Sequence, residues 1–258
     1  MTAGYVWAMT RSILTLLFTT TFVASPYFTS PFSGFQADQL PIPQIDPPIQ
    51  PSGYAFAIWG LIYGWLVVSA LFGVWQRPQD HGWNRMRSPL IISLALGTPW
   101  LWIANQSAIG ATVLIFAMAI AAIIAALCAP TSDRWLARVP VSIYAGWLTA
   151  ASFVSLGSTA AGYGVLFGSL GWAFAGITGA LVVTLIVQRS DKTDLAYGLT
   201  VIWALIGIVV VDVYAGGGAV IFAAGMDRAG FREVLKILGQ GLGRDSPSGY
   251  FRAGGAQV

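Results

Sequence analysis

An all-α bundle of about eight helices crossing a membrane is the fold class that this sequence predicts, and three observations predict it. Only 9% of the 258 residues are charged and 56% are apolar, against about 25% and ~45–50% in an ordinary soluble domain. Mean hydropathy is +0.72. The apolar residues gather into runs that approach the ~20 residues a helix needs to cross hydrocarbon. Such runs form helices because lipid offers no partner to a backbone N–H or C=O. Finally, the Lys and Arg residues fall only in alternate connections between the runs.

This composition excludes a soluble enzyme, a disordered chain and a nucleic-acid-binding domain. The net charge of +3 comes from 13 basic residues set in small groups, so no basic patch is built and no nucleic-acid partner is expected. One cysteine, Cys128, excludes a disulfide scaffold or a cysteine metal cluster. One histidine, His81, argues against a histidine metal site or base.

Taken in order, the apolar runs are Ile13–Ala24, Tyr54–Trp75, Leu90–Ala104, Ile109–Ala129, Val139–Leu156, Val165–Val187, Leu195–Val211 and a marginal eighth, Ala215–Met226. The first extends back past Arg11 toward Trp7, because a charge at a helix end can snorkel. It could instead be a signal peptide, although Phe22-Val23-Ala24 fits the small-residue cleavage rule poorly. The eighth either crosses or dips, and its short apolar stretch ends at Asp227.

Basic residues orient the spans, because they accumulate in cytoplasmic loops. Arg11 precedes the first run; Arg77, Arg85 and Arg87 follow the second. Arg134 and Arg138 follow the fourth, Arg189 and Lys192 the sixth, and the tail holds the other five. Segments 25–53, 105–108, 157–164 and 212–214 have none. The alternation predicts a multi-pass protein of a bacterial-type inner membrane with both termini in the cytoplasm.

The outer loop 25–53 is the one long connection. Its second half carries Pro41, Pro43, Pro47, Pro48 and Pro51, which fix φ and prevent helix. Such a stiff, partly apolar segment is either a lid over a site that opens outward or a spacer between two helices. From Asp227 the tail reads as a short amphipathic helix on the inner leaflet, with Phe231, Val234, Leu235, Ile237 and Leu238 as its apolar face, followed by a polar, Gly-rich end.

Charges inside the spans are nearly absent. Asp212, at the outer end of the seventh, reads as an interfacial carboxylate, so a proton pump is poorly supported. Tryptophan is abundant, at 11 residues. Trp7, Trp75, Trp83 and Trp135 fit a cytoplasmic aromatic belt; Trp100 and Trp102 fit an outer one. Trp65, Trp147 and Trp203 lie deeper, where they either pack between helices or face a flat apolar pocket. Gly164, Gly168, Gly171, Gly176 and Gly179 in or near the sixth span, and Gly216-Gly217-Gly218, permit close helix packing and leave a homodimer face open. No catalytic constellation is present: Ser152 and Ser155 have no candidate base. The protein is expected not to be an enzyme.

The run Pro51-Ser52-Gly53-Tyr54-Ala55-Phe56-Ala57-Ile58-Trp59-Gly60-Leu61-Ile62-Tyr63 resembles the second helix of the tryptophan-rich sensory protein family, also called TspO or the peripheral benzodiazepine receptor family. Trp59 and Tyr63 keep the family's spacing, and Pro51 stands eight residues before Trp59. Tyr144, Trp147, Ala151 and Phe153 are similar to its fifth-helix pattern. Pro99-Trp100-Leu101-Trp102 and Asn105 are loosely similar to its third helix. The likeness covers about residues 9–158. Pro51-Ser52-Gly53 replaces the family's double proline, and no base follows Tyr163, so the cholesterol-type pattern is missing.

The resemblance implies three segments: a five-helix bundle over 1–160, three additional helices over 161–226, and a cytoplasmic tail over 227–258. It also implies a sensory or regulatory protein that requires no cofactor and binds a tetrapyrrole, protoporphyrin IX or haem, under the outer loop. By this likeness Trp59, Tyr63, Trp147 and Ala151 line the pocket, and Tyr54 and Phe56 form its loop-side wall. The residues by themselves agree in kind: a stiff loop, deep indoles and no charge pair suit a planar apolar ligand. Two other functions stay open. One is a transporter of an apolar or amphipathic metabolite; the other is a structural subunit of a larger membrane complex.

Overall fold

Helix is the only regular structure among the described residues of the computed structural model, which are 3–32, 34–190 and 192–214. The helices are α1 (Ala3–Ala24), α2 (Ile58–Gln76), α3 (His81–Gly97), α4 (Trp100–Ala104), α5 (Ala108–Cys128), α6 (Val139–Gly162), α7 (Ser169–Gln188) and α8 (Leu195–Tyr214). Five apolar segments are long enough to cross a membrane, namely Gly4–Phe28, Gly53–Gln76, Ala108–Cys128, Arg134–Gly162 and Ser169–Gln188. The chain is a multi-pass helical membrane protein. The first seven predicted spans each fall on described helix. The eighth span, the Asp212 side chain and the tail lie outside the described residues.

Two boundaries differ from the sequence reading. The second span opens with a 3-10 turn at Gly53–Ala57, and the α-helix starts at Ile58. The third is helical much earlier than Leu90: α3 begins at His81, where the Asp80 carboxylate accepts from the Trp83 N–H at 2.9 Å. Such a cap satisfies a donor that the first helical turn leaves free. Apolarity alone missed this turn because His81-Gly82-Trp83-Asn84-Arg85 is polar. The same span is broken at Thr98-Pro99, where proline has no N–H to continue the ladder, and restarts as the short α4.

The connections sort to two ends of the bundle. At one end the Arg77 guanidinium donates to Asp133 at 2.9 Å, and Arg134 donates to Asp194 at 2.6 Å. These pairs join the loops after α2, α5 and α7, which the sequence marks as basic. At the other end Gln39 Nε2 donates to the Ala104 carbonyl, Asn105 Nδ2 to the Ser30 carbonyl, and the Ile42 N–H to the Gly162 carbonyl. Those are the loops without basic residues. The alternation read from the sequence is thus the alternation of the fold.

Residues 1–211 form one compact unit, and a second begins at Asp212. Within the first, α1 packs on α2 and α3, α3 on α5, α5 on α6, and α6 back on α2. These five helices close a ring, and α7 packs outside it against α6. Helix α8 meets α6 at Gly146, where an added Cβ would lie 2.5 Å from the Tyr197 carbonyl oxygen. Covered from several sides, α6 has 20 of its 24 residues buried. Hydroxyls tie it to its neighbours: Thr112 to Ser155 at 2.7 Å and to Thr159 at 2.8 Å, Ser93 to Tyr144 at 2.9 Å, and Thr149 to Tyr197 at 2.7 Å. In lipid such bonds hold helices together where no hydrophobic force acts between them.

Trp83 departs from the belt predicted for it. It is 1% exposed, its indole N–H donates to Asp133 at 2.9 Å, and Arg87 lies over its ring at 5.6 Å. Trp7, Trp75, Trp102 and Trp135 do lie exposed.

Asp133 therefore collects the Arg77 fork and the Trp83 indole. Desolvation is the largest single influence and raises its pKa, but the bonds from Arg77 and Trp83 and the Arg77 charge together hold it below the usual carboxylate range. Asp194 is held down too, first by its bond from Arg134. A carboxylate depressed in the folded state contributes stability that is complete above its unfolded pKa of about 4 and is lost as pH falls through the folded value. The thermal midpoint of the detergent-solubilised protein is expected to fall steeply below about pH 4. The Asp133→Asn/Asp194→Asn variant should start lower at neutral pH and respond less to acid; an identical acid profile would remove these two groups from the cause.

Candidate functional site

The ring of α1, α2, α3, α5 and α6 encloses a cavity of about 270 Å³ roofed by the long loop 25–53. Phe56, Trp59, Tyr63, Trp147 and Ala151 all line it. Five of the six residues expected at a site thus meet in one chamber. Tyr54 does not reach it: it is 43% exposed, and its ring stands edge-on to Trp203 at 5.7 Å. The reason is the 3-10 turn. Consecutive residues there point to different sides, so Phe56 faces inward while Tyr54 faces α8.

The aromatic residues make one continuous wall. Trp59 stacks on Tyr63 with ring centroids 5.1 Å apart and stands edge-on to Trp147 at 6.0 Å. Phe56 is edge-on to Trp147 at 5.8 Å. Trp59 and Tyr63 are one helical turn apart, which places their rings on one face of α2.

Sequence reasoning missed four contributors. Phe22 on α1 sits edge-on to Trp59, Tyr63 and Tyr144 at 5.5–5.9 Å. It enters because Gly97 on α3 has no side chain: an added Cβ would lie 2.7 Å from its ring. Trp100, assigned to the outer belt, lines the cavity instead and donates its N–H to the Ala111 carbonyl at 3.0 Å. Phe32 and Phe35 come down from the loop, and Phe32 stands edge-on to Trp100 at 5.2 Å. The signal for these two was the clustering of Phe and Pro in the loop. Trp65 and Trp203 are not on the cavity; they donate to the carbonyls of Trp135 and Ala55 at 2.8 and 3.1 Å.

The outer loop covers the chamber and is fastened on its far limb. Ile49 is 2% exposed and fills a notch where neither α6 nor α7 can carry a side chain. A Cβ on Gly157 would lie 2.7 Å from Ile49 Cδ1, and a Cβ on Gly176 would meet the same atom. Leu40 occupies the space left by Gly162 in the same way. The Ser52 N–H donates to the Gly207 carbonyl at 3.1 Å, so α8 holds the end of the loop as well. Gly176, read from the sequence as a helix-packing glycine, makes room for the loop.

Truncation of Ile49 should therefore loosen the roof. An Ile→Ala change at a buried site costs about 2–5 kcal/mol. Ile49→Ala is expected to speed proteolytic cutting within 25–53 several-fold while the helices stay protected; unchanged cutting would show that the notch does not hold the loop.

Among the described residues no Asp, Glu, Lys, Arg or His lines the cavity, and Tyr63 carries the one titratable side chain there. Among the described residues no group of three or more His, Cys, Asp or Glu could hold a metal ion. Such a chamber can hold a flat apolar molecule by ring contact. The hydroxyls of Ser155 and Ser158 on its wall have no base beside them.

Fold and chamber together define a multi-pass membrane protein with an aromatic, uncharged site under its long loop 25–53. A family model described as TSPO-like protein matches residues 7–226, and the chain belongs to that family. The match continues beyond the motif-bearing residues 9–158 and takes in α7 and α8. No curated protein and no solved structure gives a significant match.

Proposed function

We propose that this protein is a TspO-type sensory or regulatory membrane protein that binds a tetrapyrrole, protoporphyrin IX or haem, in the chamber under the outer loop. On this reading it sits in an inner membrane with both termini in the cytoplasm, and it binds rather than turns over its ligand. The observation that carries the proposal is the meeting of Phe56, Trp59, Tyr63, Trp147 and Ala151 in one uncharged aromatic cavity. Ligand pockets commonly span ~300–1,000 Å³, so at about 270 Å³ the chamber takes a tetrapyrrole ring only when the near limb of the loop lifts. That limb is exposed at Tyr27 and Phe28, which are 87% and 84% accessible, whereas the far limb is fastened at Ile49.

The test is a titration of the purified full-length protein in lipid discs with protoporphyrin IX, followed by tryptophan quenching. Saturable quenching at about micromolar ligand, weakened about threefold or more in Trp59→Phe, is the expected result. Linear quenching that never saturates and is the same in the variant would mean partition into lipid and would overturn the proposal.

A further inference from the structure

We infer that the basic end of the bundle carries a phosphate-binding notch, between the start of α6 and the connection from α7 to α8, and that its ligand is the headgroup of an anionic phospholipid from the adjoining leaflet. This site is separate from the chamber and does not depend on what the chamber binds.

The notch is built around a cation that the fold leaves without a partner. The turn that leads into α6, Arg134–Arg138, is wound as π-helix, a rare form that recurs at functional sites. Both of its arginines stand by one carboxylate, that of Asp194. Arg134 takes it with a two-pronged fork at 2.6 and 3.2 Å, and the Ala196 N–H donates to it at 3.1 Å. Arg138 lies close enough to help hold the Asp194 pKa down, yet the two form no ion pair, because Arg134 holds that place. Among the described residues, two buried side-chain polar atoms are left without a hydrogen-bond partner: Ser52 Oγ and Arg138 Nε. Of these Arg138 carries the charge. A buried donor on a cation is costly to leave unpaired, and the guanidinium fork matches the oxygens of a phosphate.

The surroundings set the sign and the kind of ligand. Arg189 and Lys192 are exposed on the same connection as Asp194. In segments 134–138 and 189–194 four cations stand against two carboxylates, Asp191 and Asp194. Other arginines at this end are already satisfied: Arg77 holds Asp133, and Arg87 donates to the carbonyls of Pro78 and Gly73 and to Asn84 Oδ1. The notch also has an apolar border. Trp135 is 61% exposed, with Arg134 over its ring at 5.1 Å, and Leu195, next to Asp194, is 70% exposed. A basic notch edged by exposed apolar side chains suits a headgroup whose acyl chains stay in lipid better than an anion that arrives from water.

The experiment titrates the full-length protein in a neutral detergent with phosphatidylglycerol, with phosphatidylcholine and with inorganic phosphate at matched ionic strength, reading bound lipid and the thermal midpoint. Phosphatidylglycerol is expected to bind about tenfold more tightly than phosphatidylcholine and to raise the midpoint by about 3 °C or more. Arg138→Gln should cut that preference at least about fivefold, yet leave the lipid-free midpoint within ~2 °C, because the donor it removes has no partner to lose. Arg138→Lys, which keeps the charge without the fork, should recover only part of the preference. Arg85→Gln removes an exposed cation from a different connection and should leave the preference intact. Equal binding of the two lipids would overturn the inference. So would equal losses in Arg85→Gln and Arg138→Gln, which would mean diffuse attraction to the whole basic end. A midpoint rise with phosphate that matches the rise with phosphatidylglycerol would make the ligand a soluble anion and overturn the lipid assignment. Should Arg138→Gln fail to fold, Arg189→Gln/Lys192→Gln decides: a loss of about two- to threefold supports the site, and no loss overturns it.

Discussion

Trp147→Ala is expected to destabilise the protein by about 2–3 kcal/mol and to reduce affinity for the proposed ligand by about 10- to 100-fold. Tryptophan-to-alanine changes in soluble cores cost ~3–5 kcal/mol. Part of that figure is transfer out of water, which is small for a helix that unfolds within lipid. What remains is lost contact: the edge-on packing with Phe56 and Trp59, and a void opened beside an existing cavity. Affinity falls by a comparable free energy, because the indole supplies both a wall and a donor. Trp147→Phe separates the two roles. It should keep most of the stability and lose only about 3- to 10-fold in affinity. Detergent-induced unfolding and the porphyrin titration, run on both variants, check the pair. Equal affinity loss in the two would mean that the N–H matters and the ring does not; no loss in either would move the site elsewhere.

Gly146→Val is expected to be still more disruptive to folding, with an effect of about 3 kcal/mol or more. The hydrogen of Gly146 faces backbone, not a movable side chain: its added Cβ would lie 2.5 Å from the Tyr197 oxygen and 3.1 Å from Thr200 Cβ. No rotamer change relieves that contact, so α8 must move outward. The shift would also stretch the Thr149–Tyr197 bond and withdraw Ala204 from the chamber wall. Gly146→Ala is the graded version and should cost about half as much. Gly60→Ala on α2, where an added Cβ meets nothing within 4 Å, is the matched control and should be neutral or slightly stabilising. The order control, alanine, valine in detergent-induced unfolding checks this contact; three equal curves would mean that α8 tolerates the shift.

Much of the architecture was legible in the sequence because lipid imposes few solutions. Apolar runs had to be helices, and the basic residues marked which connections share an end. The reading failed where polarity and depth part company. The first turns of α3 are polar yet helical, and Trp83 within them is buried beside the Arg77–Asp133 pair while His81 and Arg85 stay exposed. Trp83 and Trp100 stand at positions that look interfacial by count, and both turn inward to acceptors. Spacing says how far along a helix a ring stands but not which way it faces.

The candidate site was half visible. Trp59, Tyr63, Trp147 and Ala151 came through their likeness to known helix motifs, and they do meet. Tyr54 was misplaced because a 3-10 turn does not keep neighbours on one side. Phe22 was invisible because it reaches the chamber from a helix far away in the chain. Ile49 was hidden for a similar reason: its partners are glycines on two helices more than 100 residues away, and an empty notch leaves no mark in a sequence.

The burial of α6 bears on how the chain is made. A ribosome delivers α6 into the bilayer before α7 and α8 exist. During that interval a helix of alanine, glycine and hydroxyl-bearing residues faces lipid along a side that ends up covered by protein. Its hydroxyls can bond back to its own carbonyls, as Thr149 does to Ala145 at 2.9 Å, and so wait at little cost. The two later helices then act as an internal assembly step. Each copy of the protein closes its central helix with segments of its own chain, and the loop roof can be seated only after α7 has arrived to complete the notch for Ile49.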